Sequence, residues 1–353
     1  MADVRPFRAV RYARPRAELT APPYDVVDDD QAAALRARDP HNVAHLTLEA
    51  DEARAGERYR SWLEEGVLVH DEQATVWALA QDYVGPDGVA RRRDGIVASL
   101  RVEPYASGTV LPHERTHAGP RESRLRLLRA ARAQLEPIFL LYDGPPPFRP
   151  PDRLPDLEAE GTKLWRVDED VHDAFASTQL LIADGHHRYE TAVAFAEEDG
   201  ADRMMVVLVS TSDPGLEVFP THRLFDEPLG AELPGDDHAS AETALSALDA
   251  EPRGRAAAVR ATRERARLVH GSDGELDVEL VDRLGHEGIS YTPDRAEALR
   301  RVGAGASGAA FLLRPTPIEE VFARARAGQV LPPKTTYFFP KLLSGLLFHP
   351  VDQ

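Results

Sequence analysis

Apolar residues recur along this chain with two periods, and the two alternate in a way that predicts mixed helix and sheet. Glu52 to Glu65 places Ala55, Tyr59, Trp62 and Leu63 near one face of a helix that Gly66 closes. A shorter helix is predicted from about Asp29 to Arg38, and Glu122 to Gln134 carries helical leucine spacing. Pro6 to Tyr12 is strand-like and leads to a turn at Ala21 to Asp25. Thr75 to Val84 and Ala90 to Val102 flank Gly85-Pro86-Asp87-Gly88, which reads as a hairpin with a four-residue loop. Pro137 to Tyr142 is a short apolar strand, and the Pro-rich run Gly144 to Pro155 reads as a boundary. Beyond it come strands at Gly161 to Val167, Gln179 to Ala183 and Arg203 to Ser210, with a helix at His186 to Glu198. Asp226 to Asp237 reads as a loop, and the Arg-rich stretch after about residue 250 shows little pattern. Helices are predicted near Ala239 to Leu248, Asp294 to Arg301 and Ile318 to Ala327, and a strand at Ala309 to Leu313. The expected fold is α+β (mixed α/β). It has two lobes, 1–145 and 156–353, with mixed sheets, flanking helices and an active site shared between them.

Composition narrows the chemistry. With no cysteine, there is no thiolate metal site, disulfide or cysteine nucleophile, and any metal must be held by His and carboxylate. The 42 Lys+Arg against 59 Asp+Glu leave a formal charge of −17. Together with the lack of a basic stripe interleaved with aromatics, this argues against nucleic-acid binding. The Arg-rich start Met1 to Arg16 has no apolar core of a signal peptide, and no apolar run reaches membrane-span length, so a cytoplasmic protein with no membrane partner is expected. Lys163, Lys334 and Lys341 are the only lysines. Where Arg fills nearly every cationic position, a surviving Lys marks a place that suits a compact, rotatable ammonium.

Three clusters carry candidate chemistry. The first is Leu180 to Ala192, in which an apolar strand ends in Asp184-Gly185 and a helix starts with His186-His187-Arg188. Cationic side chains at a helix N-terminus oppose the macrodipole by about 0.3 to 1 kcal/mol each, and an anion seated on that end resolves the conflict. Asp184 either caps the helix, holds Mg²⁺ or acts as a base, and Gly185 permits close backbone approach. The second is Pro332 to Leu346, which holds two of the three lysines with hydroxyls at Thr335, Thr336 and Ser344. Lys334 and Lys341 are its anion contacts, against a plainer reading as a packed helix with solvent lysines. The third is Pro112 to His117, a formal match to H-E-x-x-H. Gly108 and Pro112 before it and Gly119-Pro120 after it leave no room for the long helix a zinc protease needs. It therefore reads as a loop whose His113 and Glu114 reach a shared site. Thr221-His222-Arg223 is a fourth polar cluster, as consistent with a structural role as with a ligand contact.

Taken together, several segments resemble one prokaryotic family, the domain-of-unknown-function family 1015. They are Arg5 to Ala9 with Ala21 to Val26, Pro40-His41-Asn42, Pro112-His113-Glu114 with Thr116, Ile182 to Tyr189, Pro220 to Arg223, and Lys334 to Gly345. The chain departs from the family pattern at Arg121, where Lys is expected, and at Ser123, where an acid is expected. The element around residues 178–198 is also similar to the strand, turn and helix of the ParB-like and sulfiredoxin-like superfamily, which includes free-serine kinases.

That second similarity implies an ATP or ADP site and phosphoryl transfer to or from a small hydroxyl substrate such as serine. On this expectation Asp184, His186 and Glu114 are catalytic, with Asp184 also the Mg²⁺ ligand. Gly185, His187, Arg188, Lys334, Lys341, His222 and Arg223 contact phosphate or nucleotide. Tyr24, Asp25, Asn42 and His113 line the substrate pocket. The alternatives are a metal-dependent phosphatase or hydrolase built on His113, Glu114 and Asp184, and a non-catalytic nucleotide or phosphometabolite sensor.

Overall fold

The computed structural model describes residues 1–114 and 118–352. Arg115, Thr116 and His117, and with them the second half of the H-E-x-x-H match, lie outside the described residues. The chain forms two compact units, one of residues 1–85, 89–216 and 340–353, the other of 86–88 and 217–339. The Pro-rich run expected to separate two lobes falls inside the first unit. The strand after it, Thr162–Val167, returns to pair antiparallel with Val76–Val84 ahead of it. The last fourteen residues also belong to the first unit. A segment distant in sequence therefore completes that unit.

In the first unit, a nine-stranded mixed sheet is described, whose strand order runs Val110–Leu111, Leu180–Asp184, Ile138–Tyr142, Arg203–Ser210, Ala90–Arg101, Val76–Val84, Thr162–Val167 and Leu157–Ala159. Val4–Arg5 adds to Ala90–Arg101 off this path. The strands Leu180–Asp184 and Ile138–Tyr142 are antiparallel, and Ile138–Tyr142 runs parallel to Arg203–Ser210. Alternate residues of these strands, Ile138, Leu140, Leu180, Ile182, Val206 and Leu208, bury against Tyr189 and Ala192 of the helix His186–Asp199. A strand buried on both faces reads as a continuous apolar run, and for that reason Arg203–Ser210 was legible to the residue.

A second core gathers the helices Asp29–Arg38, Glu52–Glu64 and Ala118–Ala131 around Trp62, Leu127 and Phe348. Asp51 caps the Glu52–Glu64 helix by accepting from the N–H groups of Ala53 and Arg54 at 3.1 and 3.2 Å. Gly56 lets it approach Ala118–Ala131 closely, since a Cβ there would stand 2.3 Å from the Ala130 carbonyl oxygen. The predicted helix Glu122 to Gln134 ends early because Arg132 turns to φ 53°. Ala133–Gln134 then pairs with His349–Pro350.

The second unit holds an antiparallel six-stranded sheet of described residues. Its strands Arg255–Ala261 and Ala266–Asp273 fall where the sequence showed little pattern. Ala256 and Ala258 face one core while Ala257 and Val259 face another, so small residues fill both sides and no polar alternation marks the strand.

Candidate functional site

The site is built where the strand Leu180–Asp184 passes into the helix His186–Asp199. Gly185, at φ 101°, makes the turn, and no side chain caps the helix. Arg188, one helical turn on, folds back. Its Nη2 donates to Asp184 Oδ2 at 2.5 Å, and its Nη1 donates to the carbonyl of Pro137 at the entry to the neighbouring strand. Lys341, carried in by the C-terminal segment, donates through Nζ to Asp184 Oδ1. Both oxygens of one carboxylate are thus engaged by two cations. Burial alone would raise the Asp184 carboxyl, but Lys341 and Arg188 outweigh it and hold it well below the carboxylate range. The turn keeps one net positive charge from these three side chains.

A second layer lies behind Arg188. Glu136 is 6% exposed, and its Oε1 accepts from the Tyr24 N–H and from Ser344 Oγ–H, each at 3.0 Å. Burial pushes its carboxyl up, only partly countered by Arg188 and Arg124. Tyr24 lies under Arg124, whose guanidinium carbon stands 4.3 Å from the ring centre. Burial works against the charge on Arg188, yet Asp184, Glu136, Asp25 and Tyr24 more than offset it, so its pKa stands above the ordinary value. Tyr24 and Asp25, named from the sequence, therefore fall within electrostatic reach of Arg188. Glu136 and Arg124 complete the cluster without having been named. The signal for Glu136 was a single acid in the apolar run Leu135 to Tyr142.

The histidines differ from expectation. His186 is buried, and its Nε2 accepts from the His113 N–H at 3.3 Å, which leaves Nδ1 to carry the proton of a neutral ring. The two rings meet edge to face, 4.8 Å between centres. Burial pushes His186 well below its ordinary value and His113 down to about 4. Burial therefore keeps the His186 ring, expected from the sequence to be catalytic, from carrying a charge. The expected clash between three cations and the helix dipole is relieved the same way, because His186 is neutral and Arg188 is paired. His187 is half-buried on the same first turn, and Glu114 follows His113 directly.

Asn42 serves the fold. Wholly buried, it donates to the carbonyls of Glu18 and Thr20 at 2.7 and 2.9 Å and accepts from the Ala44 N–H at 2.8 Å, so both of its amide donors are spent on backbone. Lys334, His222 and Arg223 belong to the second unit. There Arg223 donates to the carbonyls of Thr221, Pro333 and Lys334, while His222 Nδ1 accepts from the Leu313 N–H at 3.2 Å. Both residues are 1% exposed and bond to backbone within the second unit. The C-terminal lysine segment is not the packed helix of the plainer reading, since residues 332–346 hold only the short strand Tyr337–Phe338.

Mg²⁺ does not fit at Asp184, because both carboxylate oxygens accept from cations. Among the described residues no group of three or more His, Asp or Glu is placed to hold a metal ion. Nor is any helix among them long and apolar enough to cross a membrane.

Fold and site together define a mixed α/β protein with a cation-clamped carboxylate at an uncapped helix N-terminus. The chain belongs to the family described as protein of unknown function (DUF1015), whose profile matches residues 4–272. No curated protein matches it. Among solved structures it is similar to a free serine kinase in complex with AMP, at 20% identity and a TM-score of 0.42, over 67% of this chain and 89% of that one. It is also similar to a conserved hypothetical protein from Pyrococcus furiosus, at 19% identity and a TM-score of 0.39, over 67% and 92% of the two chains. A third is SbnI from Staphylococcus aureus with a C-terminal truncation, at 14% identity and a TM-score of 0.39, over 67% and 82%.

Proposed function

We propose that this chain is a nucleotide-dependent phosphotransferase acting on a small hydroxyl metabolite, with serine the first candidate and ADP or ATP the nucleotide. The substrate class follows the resemblance carried by Ile182 to Tyr189. The observation that carries the reading is the gathering of Arg188 and Lys341 on Asp184 at an uncapped helix end behind Gly185.

Phosphoryl transfer asks a protein mainly for positioning and charge neutralisation. The first-turn N–H groups of the His186 helix receive phosphate oxygens, and Gly185 leaves room for them. Lys341, on a flexible stem, turns from Asp184 to the phosphate, while Arg188 stays with Asp184 and the Pro137 carbonyl and keeps the turn rigid. Glu114, on the loop beside His186, takes the proton of the acceptor hydroxyl as that oxygen bonds to the terminal phosphorus of the nucleotide, and the bond from that phosphorus to the bridging oxygen breaks, so that ADP leaves from ATP or AMP from ADP. No step is routed through Mg²⁺ on Asp184.

Isothermal titration with ADP and ATP, followed by mass spectrometry of product with L-serine, tests the reading. Nucleotide binding tighter than about 1 mM and a phosphorylated product are expected, with Glu114→Gln binding nucleotide but forming no product. Absence of binding by either nucleotide would overturn the proposal. Binding without product over hours would point to a sensor instead.

A further inference from the structure

Lys341 reaches Asp184 on a segment that two buried charged side chains hold, one on each side of the lysine. Arg93, 0% exposed in the strand Ala90–Arg101, donates from Nη2 to the Pro340 carbonyl at 2.8 Å and from Nε to Gln81 Oε1 at 3.2 Å. Its guanidinium carbon lies 4.5 Å over the Phe139 ring. Phe139 is the cross-strand partner of Asp184, so this grip on the segment stands next to the carboxylate that Lys341 meets. On the other side, Glu136 accepts from Ser344 Oγ–H at 3.0 Å, and Ser344 exchanges backbone hydrogen bonds with Ala21 at 2.9 and 3.2 Å. Lys341 therefore sits one residue after the first anchor and three before the second.

Neutral side chains could make either anchor, and burying a guanidinium and a carboxylate costs several kcal/mol each before compensation. What the charges add is strength, since hydrogen bonds to ionised groups are shorter and about twice as strong as neutral ones. A lysine side chain has about 2 kcal/mol of rotamer entropy to lose when it is fixed. A firmly held backbone limits where the ammonium can travel, and so lowers what remains to be ordered when an anion arrives.

We propose that Arg93 and Glu136 are positioning residues that aim the Lys341 ammonium at the N-terminal end of the His186 helix and so set the affinity for the anion bound there, without touching it. The identity of that anion rests on the phosphotransferase reading. The aim of Lys341 does not.

The chain offers a direct measurement, because it has three lysines. The folded full-length protein is acetylated with an excess of an acetylating reagent, and the rate at each lysine is read by peptide mass spectrometry. Lys163, paired with Asp82, is the internal reference. Arg93→Met, Glu136→Ala and Ser344→Ala should each speed acetylation of Lys341 by about tenfold, the equivalent of one lost hydrogen bond, with Lys163 unchanged. Glu136→Gln keeps an accepting oxygen but not the charge, and its rate should fall between those of the original protein and Glu136→Ala, a graded rescue that general loosening would not give. In turnover with nucleotide, the first three variants should raise KM for the phosphate-bearing substrate with kcat nearly unchanged. Ser344→Ala removes only a hydroxyl and keeps the test open if a charge variant fails to fold. Unchanged Lys341 reactivity in folded Arg93→Met and Ser344→Ala would overturn the proposal. If the original protein binds no nucleotide but the acetylation pattern holds, the phosphotransferase reading falls and the aiming of Lys341 stands.

Discussion

Lys341 and Asp184 lie 157 residues apart in sequence and share a hydrogen bond in the first unit, where Arg188 takes the other oxygen of the same carboxylate. The pair is mostly shielded, with side-chain exposures of 18% and 13%. Lys341→Ala leaves Asp184 still paired with Arg188, so the expected loss is moderate, about 1–3 kcal/mol for one charge-assisted hydrogen bond. Urea unfolding measures it. A variant as stable as the original would show that the contact contributes nothing to the resting fold.

Removing the shared anion should cost more than removing either cation. Asp184→Ala takes from Arg188 and Lys341 the carboxylate they share, and a buried charge stripped of its partner costs about 3–5 kcal/mol. The double variant Asp184→Ala with Lys341→Ala should recover part of that loss. A double variant whose loss is the sum of the two single losses would contradict the clamp, because contacting groups couple.

Gly185 occupies φ 101°, and a Cβ there would meet Ile138 Cγ2 at 2.7 Å. Gly185→Ala combines a disfavoured backbone with a clash against a core strand, so a loss of about 2–4 kcal/mol is expected. Thermal unfolding checks it. Gly88→Ala, on the hairpin turn with open space around its Cα, is the control for the backbone part alone.

Acid should destabilise the protein before its carboxylates are reached. Burial holds His113, His222 and His349 neutral, each with a pKa near 4 against an ordinary 6.5. The unfolded chain therefore binds more protons between those values. The stabilisation is fully present above 6.5 and is lost as pH falls through about 4. Denaturant midpoints at pH 7.5, 6 and 5 should fall steadily, and His349→Gln, which can still bond Ser99, should flatten the fall. Asp184 adds a later loss: its depressed carboxyl stabilises the fold above its ordinary 3.8 and ceases to do so as pH drops below that.

Much of this protein was legible in its sequence because local patterns carry local structure. The helix Asp29–Arg38 follows from the Asp28 and Gln31 capping box and its acidic first turn. Arg203–Ser210 follows from an uninterrupted apolar run, and the strand, glycine and helix around Asp184 follow from a change of period at Gly185. The same locality explains the misses. Ala-rich strands buried on both faces leave no alternation to read, and a Pro-rich run signals an irregular surface segment whether or not a unit ends there.

Charge state and partnership were decided only by tertiary structure. Sequence placed His186 and Arg188 at a helix end but could not show that burial neutralises one and that Asp184 and Pro137 occupy the other. It marked Asn42 as rare, yet only the fold spends both of its amide donors on backbone. Lys341 stood out as a scarce residue, whereas its partner, and the anchors Arg93 and Glu136, became visible once distant strands met. The physical reason is that hydrophobic periodicity is written within ten or fifteen residues, while desolvation and charge pairing depend on whatever the folded chain brings within a few ångströms.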